Sequence, residues 1–212
     1  MKALAEDEYL QDPCAASSLP YWKAVSLEMP EGMLAVRDDL FEKEAYPGYS
    51  DDPYFKLVHS LENVEKPALP PGFCEAEAGF AEFSAHIRRC YGGGPNADEL
   101  AGYSLRRVYD PALWIALADA EGGIAATGIA ELDCSIGEGS LEWIQVSPEY
   151  RRRGLGVFLV RELLWRMKGR ADFVTVSGRV CNGNDPLRLY MRCGFGNKTI
   201  WHVLTRIESA GE

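Results

Sequence analysis

Leu141-Glu-Trp-Ile-Gln-Val146, then Ser147-Pro-Glu-Tyr150, then Arg151-Arg152-Arg153-Gly154-Leu155-Gly156 form the stretch whose reading decides the fold. The first run reads as a strand. After the turn, Leu155, Leu159, Leu163 and Met167 recur every four residues, the spacing of a buried helix face, and Gly169 stands at its stop. Strand, glycine turn and helix make a ready anion site. The first N–H groups of a helix have no internal partner, and its dipole favours negative charge there. Glycines let an anion approach the backbone, and arginines add charge. Residues 149–170 hold seven basic and two acidic side chains in a chain of net charge −10. A solvated basic helix start, with glycines serving only the turn, is the plainer alternative. Two nucleotide patterns fail: no Lys-Ser or Lys-Thr follows in the kinase-type spacing, and Leu159 occupies the third glycine position of a dinucleotide loop.

The signals on either side are regular from Phe73 onward. Ala76 to Cys90 carries Phe80, Phe83 and Ile87 at helical spacing, ended by Gly92-Gly93-Gly94. Leu113–Leu117 and Ile124–Leu132 read as a hairpin about Asp119–Gly123, and Gly137-Glu-Gly139 leads into the strand at Leu141. Phe173–Ser177 is a further strand, Asp185-Pro186 opens a helix that Gly194 ends, and Ile200–Thr205 is the last strand. This order predicts a mixed α/β domain over residues 73–212, with one strand-turn-helix crossover at its centre.

Residues 1–72 read differently. Eight prolines interrupt every candidate element, and the segment carries six basic against 14 acidic side chains. It also holds Tyr21, Trp22, Tyr46, Tyr54, Phe55, Leu57, Val58 and Leu61, too much apolar surface for a solvated tail. It is expected to be an irregular arm packed on the main domain, with a short helix around Tyr54–Leu61. Such an arm would either cover an acceptor pocket or support a homodimer.

Composition narrows the function. The hydrophobic content of 47% is that of a globular protein, and the acidic balance argues against nucleic acid. No stretch approaches the roughly 20 apolar residues of a membrane span, and the N-terminus lacks an apolar signal core, so a cytoplasmic location is expected. Cys14, Cys74, Cys90, Cys134, Cys181 and Cys193 form no CxxC pair and no metal-ligand spacing. They are expected to be reduced and mostly buried, with no metal site.

One pattern does fit the turn: Arg151, Gly154 and Gly156 as [Arg/Gln]-x-x-Gly-x-[Gly/Ala]. Here the chain resembles the GNAT superfamily of N-acetyltransferases. Asp185-Pro-Leu-Arg-Leu-Tyr-Met-Arg-Cys-Gly-Phe195 is similar to its second signature, at the family's separation from the first. The resemblance covers residues 73 to 207 and implies a mixed central sheet of about six to seven strands flanked by helices. It implies acetyl-CoA as co-substrate, its pyrophosphate on Arg151, Arg152, Arg153, Gly154, Leu155, Gly156 and Val157. Its pantetheine arm would lie on Ile144, Gln145 and Val146, with the Val146 N–H polarising the thioester carbonyl. Gly183 departs from the family's asparagine, for which Asn182 or Asn184 stands in.

The implied reaction is direct acetyl transfer to a primary amine of a small molecule or peptide. By resemblance Tyr190 is the acid for the coenzyme A thiolate; by itself it reads rather as a buried aromatic on an amphipathic helix. Glu142, an ionisable group in an apolar strand, is the candidate base. By alternation it shares a face with Ile144 and Val146 unless a bulge intervenes. Glu131 and Asp133 are its rivals, and an acid merely exposed on a sheet face is the alternative. His202 reads as a satisfied core histidine; Trp143, Trp165 and Trp201 read as packing groups, with Trp143 flanking the acceptor. A non-catalytic acyl-CoA-binding or sensing module is the competing function.

Overall fold

The computed structural model describes residues 6–16 and 31–207; Tyr21 and Trp22 of the expected arm lie outside them. Five α-helices are described: α1 (Glu6–Gln11), α2 (Phe80–Tyr91), α3 (Ala97–Tyr103), α4 (Leu155–Met167) and α5 (Pro186–Arg192). Eight strands are described: β1 (Met33–Arg37), β2 (Tyr49–His59), β3 (Phe73–Ala76), β4 (Trp114–Asp119), β5 (Ile124–Asp133), β6 (Glu138–Val146), β7 (Phe173–Arg179) and β8 (Gly196–Arg206). They form one sheet in the order β1-β8-β2-β7-β6-β5-β4-β3. Every neighbouring pair is antiparallel except β6 and β7. The mixed α/β class is as expected; the strands number eight rather than six or seven.

The two faces of the sheet are covered by different helices. On one, Leu155, Leu159, Leu163 and Met167 of α4 are buried against Leu57, Ala126, Ala130, Leu141, Val174 and Val176. On the other, Phe83 and Ile87 of α2 pack with Leu100 of α3, Ala116 and Ile129. Alternation assigns each strand residue to one face. Thus a Cβ at Gly128 would meet Leu159 and Leu163, whereas its neighbour Thr127 bonds to His86 of α2.

The segment read as irregular contributes two strands, and the expected helix at Tyr54–Leu61 is a correction. Tyr54–His59 lies inside β2, which pairs with β7 on one side and β8 on the other. Phe55 and Leu57 enter the main core with no exposed surface, and Lys56 is buried on the opposite face. A strand covered on both faces loses its polar alternation, so periodicity alone did not reveal it. The cysteine expectation is also corrected: Cys14 and Cys193 are buried, but Cys74, Cys134 and Cys181 are exposed.

β6 and β7 pair only over Glu138–Leu141 against Phe173–Val176. Beyond that β6 continues with β5 to Val146, and β7 continues with β2 to Arg179. The two strands part, and the β6 edge from Glu142 to Val146 is left without a strand partner on that side.

Because β2 is interior, Phe55→Ala is expected to cost about 3–5 kcal/mol of stability in urea unfolding. A loss below about 1 kcal/mol would mean that β2 is a removable appendage.

Candidate active site

The parting of β6 and β7 sets the direction of the exposed backbone. The Ile144 carbonyl accepts from the Tyr91 hydroxyl at 3.0 Å, and the Val146 carbonyl from Arg151 Nε at 3.4 Å. Ser147 N–H, one residue on, points back to Ala125 of the β5 side. N–H and C=O of one strand residue point the same way and alternate along the strand. The N–H groups of Ile144 and Val146 therefore face the parting. Gln145 is turned away: its side-chain amide donates to Thr127 on the α2 face, so only its backbone runs along the site.

The turn that follows is shaped for an anion. Arg152 and Gly154 both have left-handed backbones, at φ 62° and 86°. The first internal bond of α4 runs from Phe158 N to Gly154 O, so the N–H groups of Leu155, Gly156 and Val157 have no acceptor within the helix. Arg151, Arg152 and Arg153 are exposed, and the Arg153 guanidinium lies 5.4 Å from the Tyr150 ring centre. A Cβ at Gly156 would stand 3.4 Å from Leu189 and 3.8 Å from Val146, ordinary contact distances, so this position lies where α4, α5 and β6 meet. This turn and the open β6 edge fit a ligand with an anionic group joined to an extended amide chain.

Asp185 caps α5 by accepting from Arg188 N–H at 3.2 Å, with Pro186 at the first helical position. In the preceding loop Asn182 Oδ1 accepts from Asn184 N–H at 3.0 Å, and Asn184 is exposed. The described contacts give Asn182 a local turn role. α5 delivers Tyr190, which is buried with its ring 6.2 Å from Phe55 and 5.7 Å from Phe195. Burial pushes its phenol well above the ordinary value, and Tyr91, Cys193 and Glu142 push in the same direction. The phenol keeps its proton at any neutral pH.

Glu142 is the extra residue of a bulge. Pairing steps from Leu141 opposite Ala130 to Trp143 opposite Ile129, leaving Glu142 unmatched. The expected shared face is therefore corrected. Ile144 and Val146 pack with the α4 cluster, while Trp143 joins the α2 cluster and Glu142 takes the Ser140 hydroxyl at 2.7 Å. A Cβ at Gly139 would meet Met167 of α4, so Ser140, one step on, faces the α2 side. Tyr190 comes from the α4–α5 side and Glu142 from the α2 side. Burial raises the Glu142 carboxyl to about 8.

The rival carboxylates are committed elsewhere. Glu131 is held by Arg106 at 2.7 Å and Asp133 by Arg107 at 2.6 Å, both buried on β5. His202 is buried with both ring nitrogens partnered, 3.0 Å from the Asp51 and Asp38 carboxylates. Trp201 is also buried, whereas Trp165 is partly exposed. Residues that sequence reasoning missed are Tyr91, His86 and Arg89, all on α2. Their signal was weak: polar side chains on a helix read only by its apolar face. Among the described residues, no group of three or more His, Cys, Asp or Glu is placed to hold a metal ion, and no helix is long and apolar enough to cross a membrane.

Residues 110–196 match the family model described as acetyltransferase (GNAT) domain. The fold is similar to that of the GCN5-related N-acetyltransferase from Sphaerobacter thermophilus, at 18% identity and TM-score 0.65, covering 87% of this chain and 64% of that one. It is also similar to a GNAT-family acetyltransferase from Colwellia psychrerythraea (12% identity, TM-score 0.57, covering 81% and 64%). A GCN5-related N-acetyltransferase from Kribbella flavida is a third (20% identity, TM-score 0.52, covering 84% and 68%). The chain thus spans just under two thirds of the length of the first two. No curated protein matches it in sequence. The fold and residues 110–196 are thus similar to those of GNAT acetyltransferases.

Gly154→Ala should cost about 1–2 kcal/mol, because a Cβ is strained in the left-handed region. Gly156→Ala, whose Cβ finds ordinary contacts, should stay within about 0.5 kcal/mol in the same thermal unfolding series. Equal losses at the two positions would contradict the described turn.

Proposed function

We propose that the protein transfers an acetyl group from acetyl-CoA directly to a primary amine of a small molecule or peptide. What supports this reading is the β6 edge left open where β7 departs, running into the Arg151–Gly156 turn, with the buried Tyr190 of α5 and Glu142 of β6 close enough to interact electrostatically. The diphosphate would sit on the N–H groups of Leu155, Gly156 and Val157 with Arg151, Arg152 and Arg153 around it, and the pantetheine arm along Ile144–Val146. The donor supplies an activated acetyl thioester.

The residues then divide the proton work. A carboxylate at Glu142 accepts the proton that the amine loses as its nitrogen bonds to the acetyl carbon, directly or through one water. The Val146 N–H faces the developing oxyanion and stabilises it. As the carbon–sulfur bond breaks, the Tyr190 phenol donates its proton to the departing thiolate, which leaves as a neutral thiol. Placing base and acid on opposite faces keeps the two proton transfers separate. A purely binding role for the fold would need neither a buried phenol nor a carboxyl tuned close to neutral pH.

Thiol release tests this reading. With an accepted amine, Tyr190→Phe should lower kcat by about 100-fold while coenzyme A still binds. No thiol release from the unaltered protein across a broad amine panel would overturn the enzyme reading.

The Glu142 carboxyl must be ionised to act, so kcat/KM should rise as pH passes upward through about 8. Glu142→Gln should remove that rise. Ionisation inside the fold is disfavoured relative to the unfolded chain, so a stability cost is absent below pH 4.5 and grows in as pH rises to about 8. Glu142→Gln should therefore raise the melting temperature at pH 9 relative to the unaltered protein, and not at pH 4. A pH–rate profile unchanged by this substitution would remove Glu142 from the mechanism.

A further inference from the structure

His86 lies on α2 and is buried against the sheet. Its Nδ1 is 2.8 Å from the hydroxyl of Thr127 on β5, and its Nε2 is 2.9 Å from the hydroxyl of Ser147, the residue that follows β6. Gln145 donates its side-chain amide to the same Thr127 oxygen. One helical turn on, Arg89 Nη2 donates to the Ser147 hydroxyl at 2.6 Å and to the Ile124 carbonyl at 2.8 Å. Tyr91 then reaches the Ile144 carbonyl. Three side chains of one helix thus hold the last residues of β6, just past the point where β7 leaves them.

Ser147 and His86 have the residue types of a nucleophile and base, but Ser147 has no exposed surface and both ring nitrogens are engaged within the fold. No substrate atom reaches them. The arrangement serves geometry. A neutral imidazole donates to one hydroxyl and accepts from the other in either tautomer, so the ring ties β5 to the exit of β6 with one rigid plane. Burial and the nearby Arg89 charge hold its basicity down to about 4, with Glu149 opposing, so the ring stays neutral in the physiological range. The charged and titratable groups about it are Arg89 and Cys90 on α2 and Glu149 on the turn.

We propose that His86 is a positioning residue for donor binding: through Ser147 and Thr127 it fixes Ile144–Ser147, and with it the entry to the Arg151–Gly156 turn. The proposal rests on the reading of that edge and turn as the coenzyme A seat. Without β7 alongside, this stretch of β6 has strand support from β5 alone, and the α2 side chains supply the second constraint. Cys90, whose sulfur is 3.7 Å from the same ring nitrogen as Ser147, is a weak neighbour and is not required.

The test is calorimetric titration with coenzyme A, paired with steady-state kinetics on an amine the unaltered protein accepts. His86→Ala should weaken coenzyme A binding by about tenfold, with kcat at saturating acetyl-CoA within about twofold of the parent. His86→Gln, which keeps one donor and one acceptor, should recover most of the affinity. A merely structural role would lower the active fraction and the melting temperature without moving the dissociation constant of the folded molecules. An unchanged dissociation constant in His86→Ala, or a fall in kcat alone, would overturn the proposal. If His86→Ala does not fold, Thr127→Val, which removes one of the ring's two partners at nearly constant shape, carries the same expectation. Absence of coenzyme A binding by the unaltered protein would instead overturn the donor reading itself.

Discussion

β6 and β7 run side by side for four residues and then separate, Leu141 and Val176 being the last matched pair. A strand edge opened inside a sheet exposes backbone groups that must find partners. Here the Ile144 carbonyl takes a phenol from α2 and the Val146 carbonyl takes a guanidinium from the turn. The corresponding N–H groups face the opening. The separation is possible because each strand keeps its outer neighbour: β5 for β6, and β2 for β7. β2 is therefore part of what holds the opening in place, although it contributes no group to the proposed chemistry.

The bulge at Glu142 is the second consequence of that geometry. One unmatched residue turns Glu142 toward the α2 side while Ile144 and Val146 remain on the α4 side. The same strand thus presents main-chain groups to the opening and a carboxyl to the opposite face. Four carboxyl residues, Glu131, Asp133, Glu138 and Glu142, occupy β5 and β6. Guanidinium groups hold the first two, and the Tyr9 and Thr175 hydroxyls bond to Glu138. Burial shifts the ionisation of Glu142 upward to about 8. A shared composition thus serves two ends: three groups lock the sheet, and the fourth is the base of the proposed reaction.

The central and C-terminal elements were legible because local chemistry and periodicity agreed. The α4 face, the Asp119–Gly123 hairpin, the Asp185 cap and the arginine-glycine turn all lie where their residues indicate. β2 was not legible, since burial on both faces erased its alternation and its partners lie more than 100 positions away in sequence. α3 was not legible although Asn96 and Glu99 form a reciprocal cap, because its seven residues are too few to show a helical period. The bulge at Glu142 depends on pairing register, which one strand's sequence does not contain. His86 gave no signal because a histidine among apolar helix residues announces neither of its partners.

The central claim is that the open edge of β6 and the turn after it receive one ligand together. Amide hydrogen exchange with and without saturating coenzyme A measures this directly, since it follows the N–H groups concerned. The account predicts added protection at Ile144, Val146 and Leu155–Val157, with the amides of β1, β3 and β8 unchanged. Protection confined to the turn, or absent from both segments while coenzyme A is bound, would contradict it.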